Sequence, residues 1–286
     1  MEIRVENLEY IYNPGTSLEV RALEDVTFTL PHSKVLGIIG GTGSGKTTLV
    51  KNLNGLLTPT RGKIFIDGKD YRSYGPSLRR KVGVVFQQPE RQLFEETVYK
   101  DISFALTRLP RMGSAVVRDR VEHACKLIGL DLGSISDHAP LTLSDGQKRK
   151  VAIAGILVNQ PEALVLDEPA VGLDPPSLAE LILFLQNLKV SGDQTIVVVS
   201  HDMDPFLEIL DFMLVLDRGR VAAFDSPEQV CDVLGDDEVL REFLPELALL
   251  AHDLRKAGHP IPPNQFRITN LLGGLAKLSR NPEGCH

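Results

Sequence analysis

Gly40-Gly41-Thr42-Gly43-Ser44-Gly45-Lys46-Thr47 is the stretch that decides the fold. It satisfies G-x-x-x-x-G-K-[ST], the pattern of a glycine-rich loop that cradles phosphates. Upstream, Val35-Leu36-Gly37-Ile38-Ile39 is a short unbroken apolar run, as expected of a strand buried on both faces. Downstream, Leu49, Val50, Leu53, Leu56 and Leu57 recur at helical spacing. The loop therefore joins a strand to a helix, the context in which the pattern has chemical meaning. Glycines let successive backbone N–H groups turn inward toward an anion with no Cβ in the way. The helix start adds a partial positive charge. Lys46 supplies a point charge for the β- and γ-phosphates, and the Thr47 hydroxyl can ligate Mg2+. Residues Gly40 to Thr48 are thus the candidate nucleotide-binding stretch.

Working outward, residues 2–10 and 22–30 alternate as strands do, separated by the turn-forming Asn13-Pro14-Gly15. Tyr10 and Tyr12 fall at the end of the first strand, where an aromatic side chain ordinarily packs. Lys63–Gly68 reads as a strand and turn, and Lys81–Phe86 as a strand ending at Gln87-Gln88-Pro89. From about Glu90 to Gln160 the pattern becomes helical. Val98, Ile102, Ala105 and Leu109 share one helical face, and Val117, Val121, Ala124 and Ile128 share another. Ser144 with Gln147 three residues on makes a capping box, so a third helix begins with an N–H-rich end that is a second candidate anion site.

Strands return at Ala163–Leu166, followed by Asp167-Glu168-Pro169, and at Thr195–Val199, followed by Ser200-His201-Asp202. Between them Asp174 precedes Pro175, an N-cap with proline at the first helical position. Leu178, Leu181, Ile182, Leu185 and Leu188 mark that helix as packed on the sheet. Phe212–Leu216 and Arg220–Phe224 form a hairpin about Asp217-Arg218-Gly219, and Ser226-Pro227-Glu228-Gln229 opens another capped helix. Beyond Asp236, Leu240, Phe243, Leu244, Leu247, Leu250 and Leu254 predict one amphipathic helix. Gly258 to Pro263 breaks it, and a Leu-rich segment follows. The alternation predicts an α/β fold with a mostly parallel sheet core, an N-terminal antiparallel part, a helical insertion and a helical tail. Ligands of such sheets sit at the carboxyl ends of the strands. Gln87, Asp167, Glu168 and His201 each fall just after a predicted strand, as does the phosphate loop. Any one of them alone could be a polar strand cap; together they predict a catalytic edge.

Composition bounds the partners. The 286 residues suit one large domain, or a domain with an appendage, and 43% apolar with 24% charged residues are ordinary for a globular protein. A net charge of −7 argues against nucleic acid as a partner and against bulk-charge binding to anionic lipid. Cys125, Cys231 and Cys285 are odd in number and widely spaced, which fits neither a disulfide framework nor a zinc site and points to a reducing compartment. The N-terminus carries charges where a signal peptide needs an apolar core, and no apolar run approaches the ~18 residues of a membrane span. A role at a membrane would require docking onto another protein.

The order of motifs resembles the nucleotide-binding subunit of ABC transporters across roughly residues 3–225. Gly40–Thr47 is similar to its Walker A loop, Gln87 to its Q-loop, and Leu143-Ser144-Asp145-Gly146-Gln147 to its signature stretch. Ala163–Glu168 resembles Walker B with the following carboxylate, Gly172-Leu173-Asp174 the D-loop, and His201 the switch histidine. Within that family, Phe86–Val98, Lys148–Gly155 and the helical tail look like the energy-coupling factor (ECF) transporter ATPases. The resemblance implies an ABC ATPase domain over residues 1–235, with the helical insertion near 90–160. Residues 236–286 would be a C-terminal extension, either a dimerisation element or a packing appendage.

It implies that Tyr12 stacks on adenine, that Gly40–Thr48 with Lys46 hold the phosphates of ATP, and that Thr47, Gln87 and Asp167 organise Mg2+ and its waters. Glu168 would be the general base and His201 would contact the γ-phosphate. Ser144, Asp145, Gly146 and Gln147 would complete the site of a second subunit, identical or paralogous, and Asp174 would be the D-loop aspartate. The further partners implied are a transmembrane coupling protein and a substrate-binding membrane component carrying a vitamin or a metal ion, with the motor peripheral on the cytoplasmic face of the cell membrane. The sequence departs from the family at Asp145, where glycine is usual; its side chain is expected to point away from the nucleotide, since the first turn of a helix favours a negative charge. Ala170 stands where threonine or serine is common. The competing reading is a nucleotide-binding regulatory module with weak or one-sided hydrolysis, which Glu168 and His201 disfavour. A chromosome-maintenance ATPase would interpose a long coiled coil between the phosphate loop and Ser144; the roughly 100 residues there carry no sustained heptads.

Overall fold

The computed structural model of the chain describes residues 1–107, 112–259 and 261. Its strands form two sheets. The first is antiparallel, in the order β2 (Val20–Leu30), β1 (Ile3–Tyr12), β4 (Arg61–Ile66) and β5 (Lys69–Asp70). The second runs β10 (Arg220–Asp225), β9 (Phe212–Asp217), β3 (Val35–Ile39), β8 (Thr195–Val199), β7 (Ala163–Asp167) and β6 (Val82–Val85). Its strands are parallel except β10, which returns antiparallel to β9 across the turn at Arg218-Gly219. The expected fold class is therefore present, including the N-terminal antiparallel part.

The short apolar runs are strands because both of their faces are covered. Leu36 and Ile38 join a cluster with Ile3, Leu8, Leu23, Ile64 and Val197, between the two sheets and around α1 (Lys46–Leu53). Val35 and Ile39 face the other way, with Leu166, Val198 and Met213, onto helices. Successive side chains alternate across a strand, so each run feeds both cores. Each such side chain, fully buried, contributes about 1.5–3 kcal/mol.

The remaining helices are α2 (Leu78–Lys81), α3 (Val98–Thr107), α4 (Ser114–Leu127), α5 (Leu132–Ile135), α6 (Asp145–Leu157), α7 (Pro175–Ser191), α8 (Pro227–Leu234) and α9 (Glu246–Lys256). Elements α3 to α6 lie between β6 and β7, where the helical insertion was expected. Val98, Ile102 and Leu106 of α3 are buried, as are Val117, Val121 and Ala124 of α4; Leu109 lies outside the described residues.

Two expectations need correction. The periodicity after the phosphate loop overran: α1 ends at Leu53, Gly55 turns the chain at φ +71°, and Leu56 is exposed. The single tail helix is broken. Leu240–Phe243 is a short 3-10 turn, Pro245 fixes an extended backbone, and only Glu246–Lys256 is α-helical. Proline has no N–H to continue the first helix but is tolerated at the start of the next. Leu244 and Ala248 of this segment are buried in the main helical cluster, while the Leu-rich stretch after Pro262 lies outside the described residues.

Candidate functional site

The phosphate loop connects β3 to α1 and is held by its neighbours as much as by its own glycines. Gly40 adopts φ +146°, and a Cβ there would come 2.0 Å from Leu216 O. Gly45 adopts φ +106°, with Ala22 O 2.5 Å from the same imagined atom. Both positions thus require glycine on backbone and steric grounds. The turn of the β9–β10 hairpin buttresses the loop: Gly219 N donates to Ser44 O at 2.9 Å, and Glu24 N donates to Gly219 O at 2.8 Å. That support was not legible, because over 170 residues of chain separate Ser44 from Gly219.

Lys46 Nζ donates to Gly40 O at 2.7 Å and to Gly41 O at 3.0 Å, so the ammonium is wrapped by its own loop. Burial lowers its pKa, opposed by the charges of Glu168 and Asp167. Both carboxylates are therefore close enough to act on it electrostatically. Thr47 Oγ1 donates to Asp167 Oδ2 at 3.3 Å. Asp167 is only 5% exposed, and burial pushes its pKa up, with the Thr47 hydrogen bond opposing and Glu168 adding repulsion. In the first turn of α1, Thr48 shares a hydroxyl hydrogen bond with Tyr12 at 3.1 Å. The Tyr12 ring meets Tyr10 edge-on at 4.8 Å. The strand-end tyrosines thus pack, and one of them also reaches the nucleotide-binding stretch.

Glu168 follows β7 in the left-handed region, φ +53°, an uncommon place for a glutamate and a sign of strain held by its surroundings. Its backbone N donates to Val199 O at 2.7 Å, locking the turn to β8. Its Oε2 lies 2.7 Å from His201 Nδ1 and accepts from Ser200 Oγ at 3.3 Å. The carboxylate is nearly enclosed, whereas the His201 side chain is 65% exposed. Glu168 and His201, both candidates from sequence, are therefore in contact. Buried Ser200, which anchors Glu168, was not singled out, and nothing in its identity separates it from an ordinary strand-end serine.

Gln87 stands two residues beyond the end of β6, on the edge strand beside β7, with an exposed side chain. The Ser144 group is placed elsewhere. Ser144 caps α6 through the expected capping box, its Oγ accepting from Gln147 N at 3.3 Å. Asp174 caps α7, accepting from Ser177 N at 3.3 Å. Asp145 extends into solvent, 91% exposed, and pairs with Lys148 of its own helix at 3.1 Å. The two helix starts adjoin across a pocket lined by Ser144, Gly146, Gln147, Leu173 and Ser177. Arg149 of α6, quoted above only within a longer stretch, donates to Pro169 O at 2.7 Å and Val171 O at 2.9 Å. It thereby ties the Ser144 helix to the chain just past Glu168.

The donor set fits a hard cation brought in with phosphates. Among the described residues no cluster of three or more histidine, cysteine or acidic side chains could cage a metal alone. A buried carboxylate bonded to the Thr47 hydroxyl instead offers the one or two oxygen ligands that Mg2+ takes from protein in nucleotide sites. Among the same residues no helix is long and apolar enough to cross a membrane.

Residues 23–171 match the family model described as "ABC transporter". The energy-coupling factor transporter ATP-binding protein EcfA2 of Caldanaerobacter subterraneus subsp. tengcongensis is 42% identical over 283 residues, covering 98% of each chain. That of Symbiobacterium thermophilum is 42% identical over 287 residues, covering 99% of each. Among solved structures, cbiO1 of Clostridium perfringens, described as part of the ABC transporter complex cbiONQ, superposes with a TM-score of 0.72 at 35% identity. It covers 90% of this chain and 97% of its own. The ATP-binding cassette MJ0796, solved as a dimer in a post-hydrolysis state with ADP and Pi, gives 0.70 at 27% identity, over 78% and 98% of the two chains. With the phosphate loop, the Glu168–His201 contact and the capped Ser144 helix in place, the chain belongs to the ABC transporter family, among the energy-coupling factor transporter ATP-binding proteins, and its activity is ATP hydrolysis coupled to transport.

Proposed function

We propose that this subunit powers uptake of a small molecule, a vitamin or a metal ion, by closing around two ATP molecules with a second ABC ATPase and driving a transmembrane coupling protein. The observation that carries the hydrolytic assignment is the 2.7 Å contact between Glu168 and His201, beside Lys46, Thr47 and Asp167 at one sheet edge. Tyr12 stacks on adenine, and the amides of Gly40–Thr48 with Lys46 hold the phosphates. Thr47, Asp167 and Gln87 would hold Mg2+, which when bound would supply charge neutralisation to the nucleotide. Glu168 takes a proton from the attacking water. His201, whose side chain is exposed, exchanges its hold on Glu168 for the γ-phosphate. Phosphoryl transfer leaves the protein chiefly positioning and electrostatic work, which this edge of fixed donors suits.

Ser144 and the Gly146 N–H complete the partner subunit's site, with Asp174 lying at the junction and Asp145 neutralised on Lys148. The start of α6 is capped and N–H-rich, a second anion-binding end of the kind that a donor acting in trans requires. The cbiONQ complex and the dimeric cassette named above support a partnered assembly. Residues 1–235 form the motor, and residues 236–286 are an extension that serves either as a dimerisation element or as a packing appendage, the burial of Leu244 and Ala248 in the main cluster supporting the latter. The subunit sits peripherally on the cytoplasmic face of the cell membrane, with a separate membrane component binding the cargo. The competing reading, a regulatory module with weak or one-sided hydrolysis, loses support from Asp145 because that carboxylate is paired on its own helix. Phosphate release by the complex purified from membranes, with its subunits identified by mass spectrometry, tests the assignment. Absence of a membrane partner, or of ATP-dependent phosphate release, refutes it.

A further inference from the structure

The C-terminal segment reaches the phosphate loop. The Phe243 ring lies on Gly41: a Cβ at residue 41 would come 3.1 Å from Cζ and 3.3 Å from Cε1. Carbon atoms pack favourably only at about 3.5–4.0 Å. Unlike Gly40, Gly43 and Gly45, Gly41 does not have a positive φ. Its backbone admits any residue, and it is the ring that crowds the position: a Cβ fits only if the ring gives by a few tenths of an ångström. The carbonyl of the same residue accepts from Lys46 Nζ at 3.0 Å and from Ser44 N at 3.1 Å. The segment carrying Phe243 is itself fixed. Leu244 is buried, and Asp204, three residues beyond His201, accepts from Glu246 N at 2.8 Å and Leu247 N at 3.0 Å. Asp204 thus caps α9 from a distant part of the chain, in place of the side-chain cap that Pro245 cannot give.

We propose that Phe243 is a positioning residue of the ATP site: its ring, held by the Asp204-capped start of α9, fixes Gly41 and so the carbonyl that orients Lys46 toward the phosphates. The inference rests on the assignment of Gly40–Thr48 as the phosphate site. The C-terminal extension then touches both the phosphate loop and the chain following His201, and a shift of the extension alters how the loop receives ATP.

Mg·ATP affinity of the full chain, measured by calorimetry, tests this. Phe243→Ala weakens affinity roughly three- to tenfold, the size of coupling between residues in contact, while Phe243→Leu, which keeps apolar bulk, stays within about twofold. Gly41→Ala alone also weakens binding. Combined with Phe243→Ala the losses do not multiply, because the new methyl occupies the space the ring vacates. A merely structural Phe243 would lower the thermal midpoint yet leave affinity unchanged and the two substitutions independent; either result overturns the proposal. Should Phe243→Ala fail to fold, Phe243→Val, which also withdraws the ring from Gly41, takes its place in the cycle with Gly41→Ala. Lys46→Ala run alongside separates the failures. If it weakens binding while the Phe243 variants do not move it, only the positioning role falls. If it too has no effect, the phosphate-site assignment falls with it.

Discussion

Glu168→Gln isolates the chemistry from the architecture. Glutamine keeps the side-chain length and the left-handed backbone, φ +53°, so the strain at this turn is common to both proteins. It also keeps an oxygen that can accept from Ser200 Oγ, now 3.3 Å from the carboxylate. What it removes is the basicity needed to take a proton from water. Loss of a positioned general base costs about two to four decades of rate, or about 3–5 kcal/mol of barrier at 1.36 kcal/mol per decade. Binding should move little and toward tighter, because Lys46, Thr47 and Asp167 are untouched and one negative charge near the phosphates is gone. The assay is steady-state phosphate release at saturating Mg·ATP, beside an equilibrium titration of nucleotide. Turnover within about threefold of the parent would refute Glu168 as the base. A large loss of affinity would instead show that the carboxylate acts in binding, contrary to the geometry.

Lys46→Ala removes a charged donor and should weaken ATP binding roughly ten- to hundredfold, about 1.5–3 kcal/mol, with retention of the fold checked by circular dichroism. Asp167 has its pKa raised by burial, so the folded state binds its proton more tightly than the unfolded state does. Stability from this group is full below the ordinary carboxylate pKa of 3.8 and is lost as pH rises through the raised folded value. Burial therefore makes the ionised carboxylate costly in the folded protein. Asp167→Asn should raise its thermal midpoint while abolishing the Mg2+ dependence of nucleotide binding; a lowered midpoint would contradict the sign. Burial pushes the Cys125 thiol up to about 11 and Cys231 up to about 12, so neither should alkylate in the native protein at pH 8. Peptide mapping after iodoacetamide checks this, and modification of either would show that its cluster opens readily.

The strand, loop and helix at residues 35–53 could be read from sequence because their determinants are local: an apolar run, a glycine spacing and helical periodicity. The capping box at Ser144 and the Asp174-Pro175 helix start are local in the same way, and each appears in the structure as read. Legibility ended where one segment decides another's conformation. Gly55 marks the stop of α1, but periodicity and apolarity continue past Leu53 and outweighed that signal. In the tail, leucine spacing outweighed Pro245, and the single helix expected there is a short turn followed by α9.

By itself the sequence determined the chemistry on offer: a loop for phosphates, carboxylates and a histidine after strands, and a second N–H-rich helix end. Only the tertiary structure decided which groups meet. It set Glu168 against His201, the hairpin turn under Ser44, Asp204 over the start of α9, and Phe243 on Gly41. The physical reason is one of range. Residue type and spacing fix backbone preference over a few positions, whereas a contact between distant segments follows from how the two cores on either side of the sheet close, and no single stretch of sequence encodes that.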